Sequence, residues 1–264
     1  MRTIFLVAVS CMILWSAAPA QDTLRVMTYN IYHAEQPYNK GESSLRDIAS
    51  LINRERPDFV ALQEIDEMTD RLAALNDSRP YSLTDSLAGL TGMTGYFGKA
   101  IDYGGGGYGG GLLSVHPLEF QKVMLANPEE GEDRVLLFVE AKTASGKPFI
   151  FGGTHLDHQS AANNIAQVGD INEYFAGEES PVLLGGDFNF LPGSESYLQM
   201  QQQWVDAALL FNDEPEPTIP SKNPDRRIDY FFLSKHHEWE VIDFRTIKVD
   251  YSDHLPVMAT IVIR

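Results

Sequence analysis

The sequence predicts a single α/β domain, on three observations. Short apolar stretches of strand character alternate with segments whose apolar residues recur at helical spacing, the pattern of sheets covered by helices. Neither an internal repeat nor a linker divides the chain. About 244 residues follow a removable leader, enough for one substantial core.

The leader is read from residues 1–20. Arg2 gives a basic start, Ile4 to Trp15 form an apolar run too short to span a bilayer comfortably, and Ala18-Pro19-Ala20 makes a small-residue cleavage site before Gln21. The protein is therefore expected to be exported, periplasmic or secreted, with residues 21–264 as the domain and no transmembrane segment after cleavage. A lipid-modified Cys11 is a competing reading, but Met12 to Trp15 stay apolar where a tether would be polar. Cys11 is the only cysteine, so the mature chain is held by its core and not by disulfides.

The formal charge of −17 becomes −18 once Arg2 is removed, leaving 19 basic residues against 37 acidic ones. A surface of that sign repels polyanions, and no run of Lys or Arg interrupts it. Long nucleic acid is thus a disfavoured partner unless a bound divalent cation reverses the sign locally.

Leu24 to Ile31 alternates as a strand and ends in Tyr29-Asn30-Ile31. Ser44-Leu45-Arg46-Asp47 resembles a capping box, and Leu45, Ile48, Ala49 and Ile52 keep one helical face apolar until Pro57. Phe59 to Leu62 is a short buried strand that stops at Gln63-Glu64. Two strands joined by one helix place their polar ends on the same sheet edge. Helical stretches are expected around Met68 to Ala74 and Tyr81 to Leu90. Tyr103 to Gly111 is glycine-rich but lacks the Gly-Lys-Ser/Thr ending of a nucleotide loop. It reads as a mobile loop beside a site, with Tyr108 either a substrate contact or a structural tyrosine.

Val135 to Val139 and Phe149 to Phe151 are strands around a turn at Ser145-Gly146-Lys147. The second leads into Thr154-His155-Leu156-Asp157-His158, a histidine pair without the thiols and spaced histidines of structural zinc. Ser160 caps a helix that turns Ile165, Val168, Ile171 and Phe175 inward. Val182 to Leu184 then enters a buried strand that closes in Gly185-Gly186-Asp187-Phe188-Asn189. If strand geometry persists, Asp187 and Asn189 leave on one face. Gly, Asp and Asn are also the commonest turn formers, and a plain turn is the competing reading. Beyond a proline-rich loop at Pro215 to Pro224, Arg227 to Leu233 is a strand with Asp229 near its start. A strand at Glu238 to Lys248 follows, and Asp253-His254 precedes the last one, Val257 to Ile263.

Asn30, Glu64, His155, Asp187, Asn189, Asp229, Asp253 and His254 all lie at or beside strand ends. Carboxylates suit a hard cation such as Mg²⁺, while amides and imidazoles suit a phosphate. Tyr29-Asn30-Ile31, Leu62-Gln63-Glu64, Thr154-His155-Leu156, Gly185 to Asn189, Arg227-Ile228-Asp229-Tyr230 and Ser252-Asp253-His254, in that order, resemble the motif series of the endonuclease/exonuclease/phosphatase superfamily. The resemblance runs over nearly the whole mature chain. It implies the deoxyribonuclease I-like fold, a four-layered α-β-β-α sandwich of two mixed β-sheets packed face to face with helices outside. It also implies hydrolysis of a phosphate ester by in-line attack of water, with Mg²⁺ as cofactor and Mn²⁺ as a substitute.

Carried onto this chain, the resemblance makes Glu64 the main metal ligand with Asn30 and Asp253 nearby. Asp187 orients and deprotonates water, Asn189 and His155 hold phosphate oxygens, and Asp229 pairs with His254, which stabilises developing charge. Asn30 and Tyr108 are further substrate contacts. Two departures stand out. Tyr32 occupies the position where repair nucleases of the family carry an acid. Asn163 and Asn164 stand where related bacterial sequences place an arginine, so a cation for the phosphate is missing there. The expected function is an exported phosphoesterase acting as a monomer on a small or lipid-derived substrate, a phosphoinositide or phospholipid head group, with peripheral lipid contact. An exported endo- or exonuclease is the alternative, and an inactive phosphate-ligand binding module a third reading.

Overall fold

The computed structural model describes residues 22–264, so the leader, its cleavage site and Cys11 lie outside the described residues. The first third of the chain forms β1 (Thr23–Asn30), α1 (Leu45–Glu55), β2 (Phe59–Glu67), α2 (Asp70–Ala74), α3 (Leu83–Thr91), β3 (Thr94–Tyr103) and β4 (Gly106–Ser114). The middle forms β5 (Glu119–Met124), β6 (Val135–Lys142), β7 (Pro148–His155), α4 (Ala161–Tyr174) and β8 (Val182–Asp187). The remainder forms α5 (Glu195–Met200), β9 (Trp204–Asp206), α6 (Ala207–Phe211), β10 (Asp229–Ser234), β11 (Trp239–Thr246) and β12 (Val257–Ile263).

These strands make two six-stranded mixed sheets, ordered β11-β12-β1-β2-β4-β3 and β5-β6-β7-β8-β10-β9. The sheets pack face to face, with Val26, Ala61 and Leu112 of the first against Leu137, Phe151, Leu183 and Phe231 of the second. Each fully buried side chain of this size contributes about 1.5–3 kcal/mol. Opposite-pointing residues of the same strands, Met27, Tyr29 and Val60, pack with Ile48, Leu51 and Leu87 of α1 and α3. Leu184 and Phe232 do the same with Val168 and Ile171 of α4. The helices thus cover the outer faces, and the four-layered sandwich is the fold of this chain.

Sheet direction decides where the polar residues gather. β1 runs parallel to β2, and β7 parallel to β8, so Asn30, His155 and Asp187 come at their C-terminal ends and Glu64 at an irregularity in the C-terminal half of β2. β10 and β12 run antiparallel to β8 and β1, so Asp229, at the start of β10, and His254, just ahead of β12, return to that same edge. Small residues let the two sheets close there. A Cβ on Gly153 would lie 2.9 Å from Cβ of Ala61 across the interface, and one on Gly185 would lie 3.2 Å from Cβ of Thr28. Gly153→Ala is therefore expected to cost about 1–3 kcal/mol, the usual penalty of overpacking. Urea unfolding checks this, and turnover should fall by more than the unfolded fraction explains, because the added methyl parts the two halves of the site.

Several elements differ from the sequence reading. The glycine-rich stretch is no mobile loop: it is the inner strand β4, hairpinned to β3 through Gly104-Gly105. Its glycines answer crowding, since a Cβ on Gly109 would lie 2.1 Å from the carbonyl oxygen of Gly98. Glycine masked the strands because it carries no apolar side chain to set a period. β2 runs past Glu64 to Glu67 through a bulge between Leu62 and Ile65. Ser44 makes no side-chain cap on α1. Ile165 of α4 is only half-buried, because Asn163, Asn164 and Gln167 take the sheet-facing turn. α5, β9 and α6 are short elements that the sequence pattern does not mark.

Candidate active site

The strand ends open into one recess of about 410 Å³. Glu64, Tyr108, His155, Asp187, Asn189 and His254 line it together with Glu132, Arg134, His158, Leu191, Ile219, Arg226 and Ile228. Asn30 lies beneath, between two carboxylates: its Nδ2 donates to Glu64 Oε1 and to Asp187 Oδ2, each at 3.0 Å. Its Oδ1 accepts from the Tyr32 amide at 3.2 Å, so Asn30 shows the carboxylates hydrogens and not an oxygen. The bond to Asp187 spans the two sheets.

Two site residues sit in left-handed backbone, Glu64 at φ +59° and Asn189 at φ +52°. Such conformations cost on the order of 1–3 kcal/mol and persist where surrounding structure fixes them. The bulge in β2 re-aims Glu64 toward the recess. Asn189 lies beyond the end of β8, so it shares the recess with Asp187 through a turn and not through strand alternation. Its amide N–H donates to Asp187 Oδ1 at 3.0 Å, and its Nδ2 donates to the Leu156 carbonyl at 3.0 Å.

Asp229 stands behind His254, with Oδ2 2.9 Å from Nδ1. The other ring nitrogen of His254 is 3.6 Å from Asp187 Oδ2, and His155 Nε2 approaches the same oxygen at 3.5 Å. Asp187, Asp229 and His254 form a buried cluster with ligand atoms all within 4.8 Å of one another, the size of a metal site. Ser252 donates its hydroxyl hydrogen to the Asn30 carbonyl at 2.7 Å, and its oxygen lies 3.2 Å from Asp253 Oδ1.

Burial raises Asp187 to about 7, with Asp229 adding to the rise and His254 opposing it. Burial alone would lower His254, but the carboxylates of Asp229 and Asp187 raise it to about 10. Glu64 goes the other way: burial pushes it up, yet His33, His155, Asn30 and His254 bring it to about 2. Asp253 is raised by burial and by Glu64. His155 is driven well below its ordinary value by burial and by Arg134.

Tyr108 is buried on β4 and edges the recess, with the Arg71 guanidinium 5.6 Å from its ring centre. Asn163 and Asn164 are structural. Asn163 donates to Asn127 and Asp157, and Asn164 donates to the carbonyls of Asp157 and Phe188. A cation does line the recess from another element: Arg134, whose guanidinium lies 3.2 Å from His155 Nδ1. Sequence reasoning misses Arg134 because a lone Arg in an acidic turn carries no signal. It also misses His33, which is buried with one ring nitrogen 3.0 Å from Glu35 and the other 3.8 Å from Glu64. A run of left-handed residues, Tyr32 to Ala34, turns it inward, and nothing in the sequence foretells that run.

Among solved structures, an endonuclease/exonuclease/phosphatase from Beutenbergia cavernae is 24% identical with a TM-score of 0.76, over 91% of this chain and 72% of that one. A functionally unknown conserved protein from Enterococcus faecalis is 22% identical with a TM-score of 0.75, over 91% and 100%. A mannosyl-6-phosphatase from Bacteroides thetaiotaomicron is 19% identical with a TM-score of 0.70, over 91% and 100%. No curated protein matches the chain. A family model matches residues 27–254, from within the first strand to the histidine that Asp229 holds, and by that match the chain belongs to the endonuclease/exonuclease/phosphatase family.

Proposed function

We propose that this protein is an exported, divalent-metal-dependent phosphoesterase that hydrolyses the phosphate ester of a small or lipid-derived molecule by direct attack of water. Its family consists of phosphoester hydrolases, generally dependent on a divalent metal. The observation that carries the reading is the convergence of Glu64, Asp187 and His254 on one recess at the end of both sheets. Export rests on the leader sequence, and no described helix is long and apolar enough to cross a membrane.

The donor set fits a hard cation. Glu64 and Asp187 line the recess, with Asp229 behind His254 and Asp253 next to it in the chain, and among the described residues none of the four is paired with Lys or Arg. Such a site repels a phosphate until its charge is offset, and oxygen donors suit Mg²⁺ or Mn²⁺. Glu64 and Asp253 would hold the ion, with Asn30 fixing the spacing between Glu64 and Asp187. Asp229 Oδ2 already meets His254 Nδ1, although Asp229 Oδ1 stays buried without a partner, and we assign the Asp187-Asp229-His254 cluster to proton chemistry. When bound, the ion supplies Lewis-acid polarisation of the phosphoryl group.

Asp187, raised to about 7, is matched to take a proton from the attacking water near neutral pH. Asn189 keeps one amide hydrogen free after its bond to Leu156, and His155 turns Nε2 toward the same space. Both are placed to donate to phosphate oxygens. Protonated His254 donates to the oxygen on which charge develops.

Asp229→Asn tests this wiring. The Asp229 carboxylate raises both Asp187 and His254, so its loss lowers both. The acid limb requires ionised Asp187 and the alkaline limb requires protonated His254, so both limbs should move to lower pH, the alkaline one farther. A pH–rate profile identical to that of the wild type would remove the pair from the mechanism.

The recess favours a compact substrate. Its apolar lining is limited to Tyr108, Leu191, Ile219 and Ile228, with no row of aromatics on which successive bases could stack. The decisive experiment offers purified mature protein and Mg²⁺ a panel of sphingomyelin, phosphoinositides, sugar phosphates, simple mono- and diesters, RNA and plasmid DNA. Fastest turnover on a small or lipid ester is expected. Fastest cleavage of plasmid DNA would establish the nuclease reading instead, and no cleavage of any ester would leave only ligand binding.

A further inference from the structure

His155 and His254 both face Asp187, but they are wired in opposite senses. Behind His254 stands a carboxylate, which only accepts, so Nδ1 of that ring carries a hydrogen. Behind His155 stands Arg134, almost wholly buried at the entry to β6. One guanidinium nitrogen lies 3.2 Å from His155 Nδ1, and another lies 3.3 Å from His158 Nδ1. Glu132 Oε1 lies 2.8 Å from the first of those nitrogens as an ion pair.

A guanidinium offers N–H groups only, accepts nothing and does not lose its proton in proteins. Both Nδ1 atoms facing it must therefore be bare acceptors, and the single hydrogen of each ring lies on Nε2. We infer that Arg134 is a positioning residue that locks His155 as an Nε2–H donor, and that His158, held the same way at the mouth of the recess, is a second substrate-contacting donor. Neither the sequence motifs nor the family match assigns a role to Arg134 or His158. The bland alternative, that Arg134 only balances Glu132, explains the ion pair but not why two imidazoles converge on one guanidinium by the same atom. The exposed amide of Gln159, 3.4 Å from His158 Nε2, can rotate to meet that hydrogen with its oxygen. The low proton affinity that burial and Arg134 impose on His155 agrees with a neutral donor.

The role of His158 rests on the phosphate-binding reading of the recess, whereas the tautomers do not. The test uses nitrogen-15 NMR of the imidazoles in full mature protein with Mg²⁺ at neutral pH, with R134K and R134M, and inorganic phosphate as the probe ligand. In the wild type, His155 and His158 should each show an unprotonated Nδ1 and a protonated Nε2, while His254 shows a protonated Nδ1. R134M should release both rings into mixed tautomers, with His254 unchanged. R134K should hold at most one of them, because an ammonium cannot bridge two rings. Phosphate should shift the Nε2 signals of His155 and His158 and bind roughly 10-fold more weakly to R134M, the scale of one or two lost hydrogen bonds. A protonated Nδ1 on His155 in the wild type would overturn the inference without any variant. So would wild-type tautomers retained in R134M. Phosphate that shifts His155 but not His158 would strike His158 from the contacts. Phosphate that shifts neither would sink the phosphate-site reading, while the tautomers still decide whether Arg134 positions the rings.

Discussion

Asp187→Asn is expected to lower turnover by roughly 10³–10⁴-fold, the upper range of what a positioned general base supplies. Asp187 is almost completely buried at the end of β8, and its Oδ2 is approached by Asn30, His155 and His254. Among the described residues no other carboxylate is within ion-pair distance of both histidines, so none replaces it. The amide keeps the shape and can still accept from the Asn189 N–H, which confines the damage to proton transfer and to the contacts of the second oxygen with Asn30, His155 and His254. Pre-steady-state rates on the best ester from the panel, with circular dichroism to verify the fold, read the effect. A loss smaller than tenfold would mean that another group activates water.

Glu64→Gln should act on the same reaction by a different route. The family's general dependence on a divalent metal makes a chelator the first control: activity should fall to background and return with Mg²⁺ or Mn²⁺. Glu64 is the recess carboxylate held most firmly ionised, at about 2, although it is the one twisted into left-handed backbone. Replacing it by Gln keeps the volume and removes the charge. Because metal polarisation is worth several kcal/mol, turnover should drop on the order of 10³-fold at ordinary metal concentration. Mn²⁺ affinity, measured by calorimetry without substrate, should weaken by at least about 10²-fold, since losing a ligand exceeds the loss of an outer partner. Unchanged Mn²⁺ affinity would move the ion to the Asp187-Asp229-His254 cluster.

The sequence made legible those features in which one strand carries its own signal. β1, β6, β7, β8, β10 and β12 show as apolar runs, and the polar residues that close β1, β7 and β8 and precede or open β12 and β10 point to the shared edge. What stayed hidden depends on neighbours far along the chain. β3 and β4 pair closely because Gly109 carries no Cβ to meet the Gly98 carbonyl, a fact about the pair and not about either segment. Arg134 belongs to the site because the turn before β6 happens to reach His155, twenty-one residues later. The orientation of Asn30 is equally hidden: its amide hydrogens meet Glu64 and Asp187, and its oxygen meets the Tyr32 amide. That orientation arises from a left-handed turn that no local propensity announces.

The reaction centre is shared between the two slabs of the sandwich. Asn30, Glu64, Asp253 and His254 belong to one, and His155, Asp187, Asn189 and Asp229 to the other. Hydrolysis is thus a gauge of alignment, lit only while both slabs are docked to within a fraction of an ångström. Mild heat, denaturant or pressure that slides one across the other would extinguish catalysis while leaving the hydrogen-bonded ladders of each slab whole. Inactivation should precede the loss of β-sheet signal, and on cooling it should be restored as quickly as the slabs re-seat.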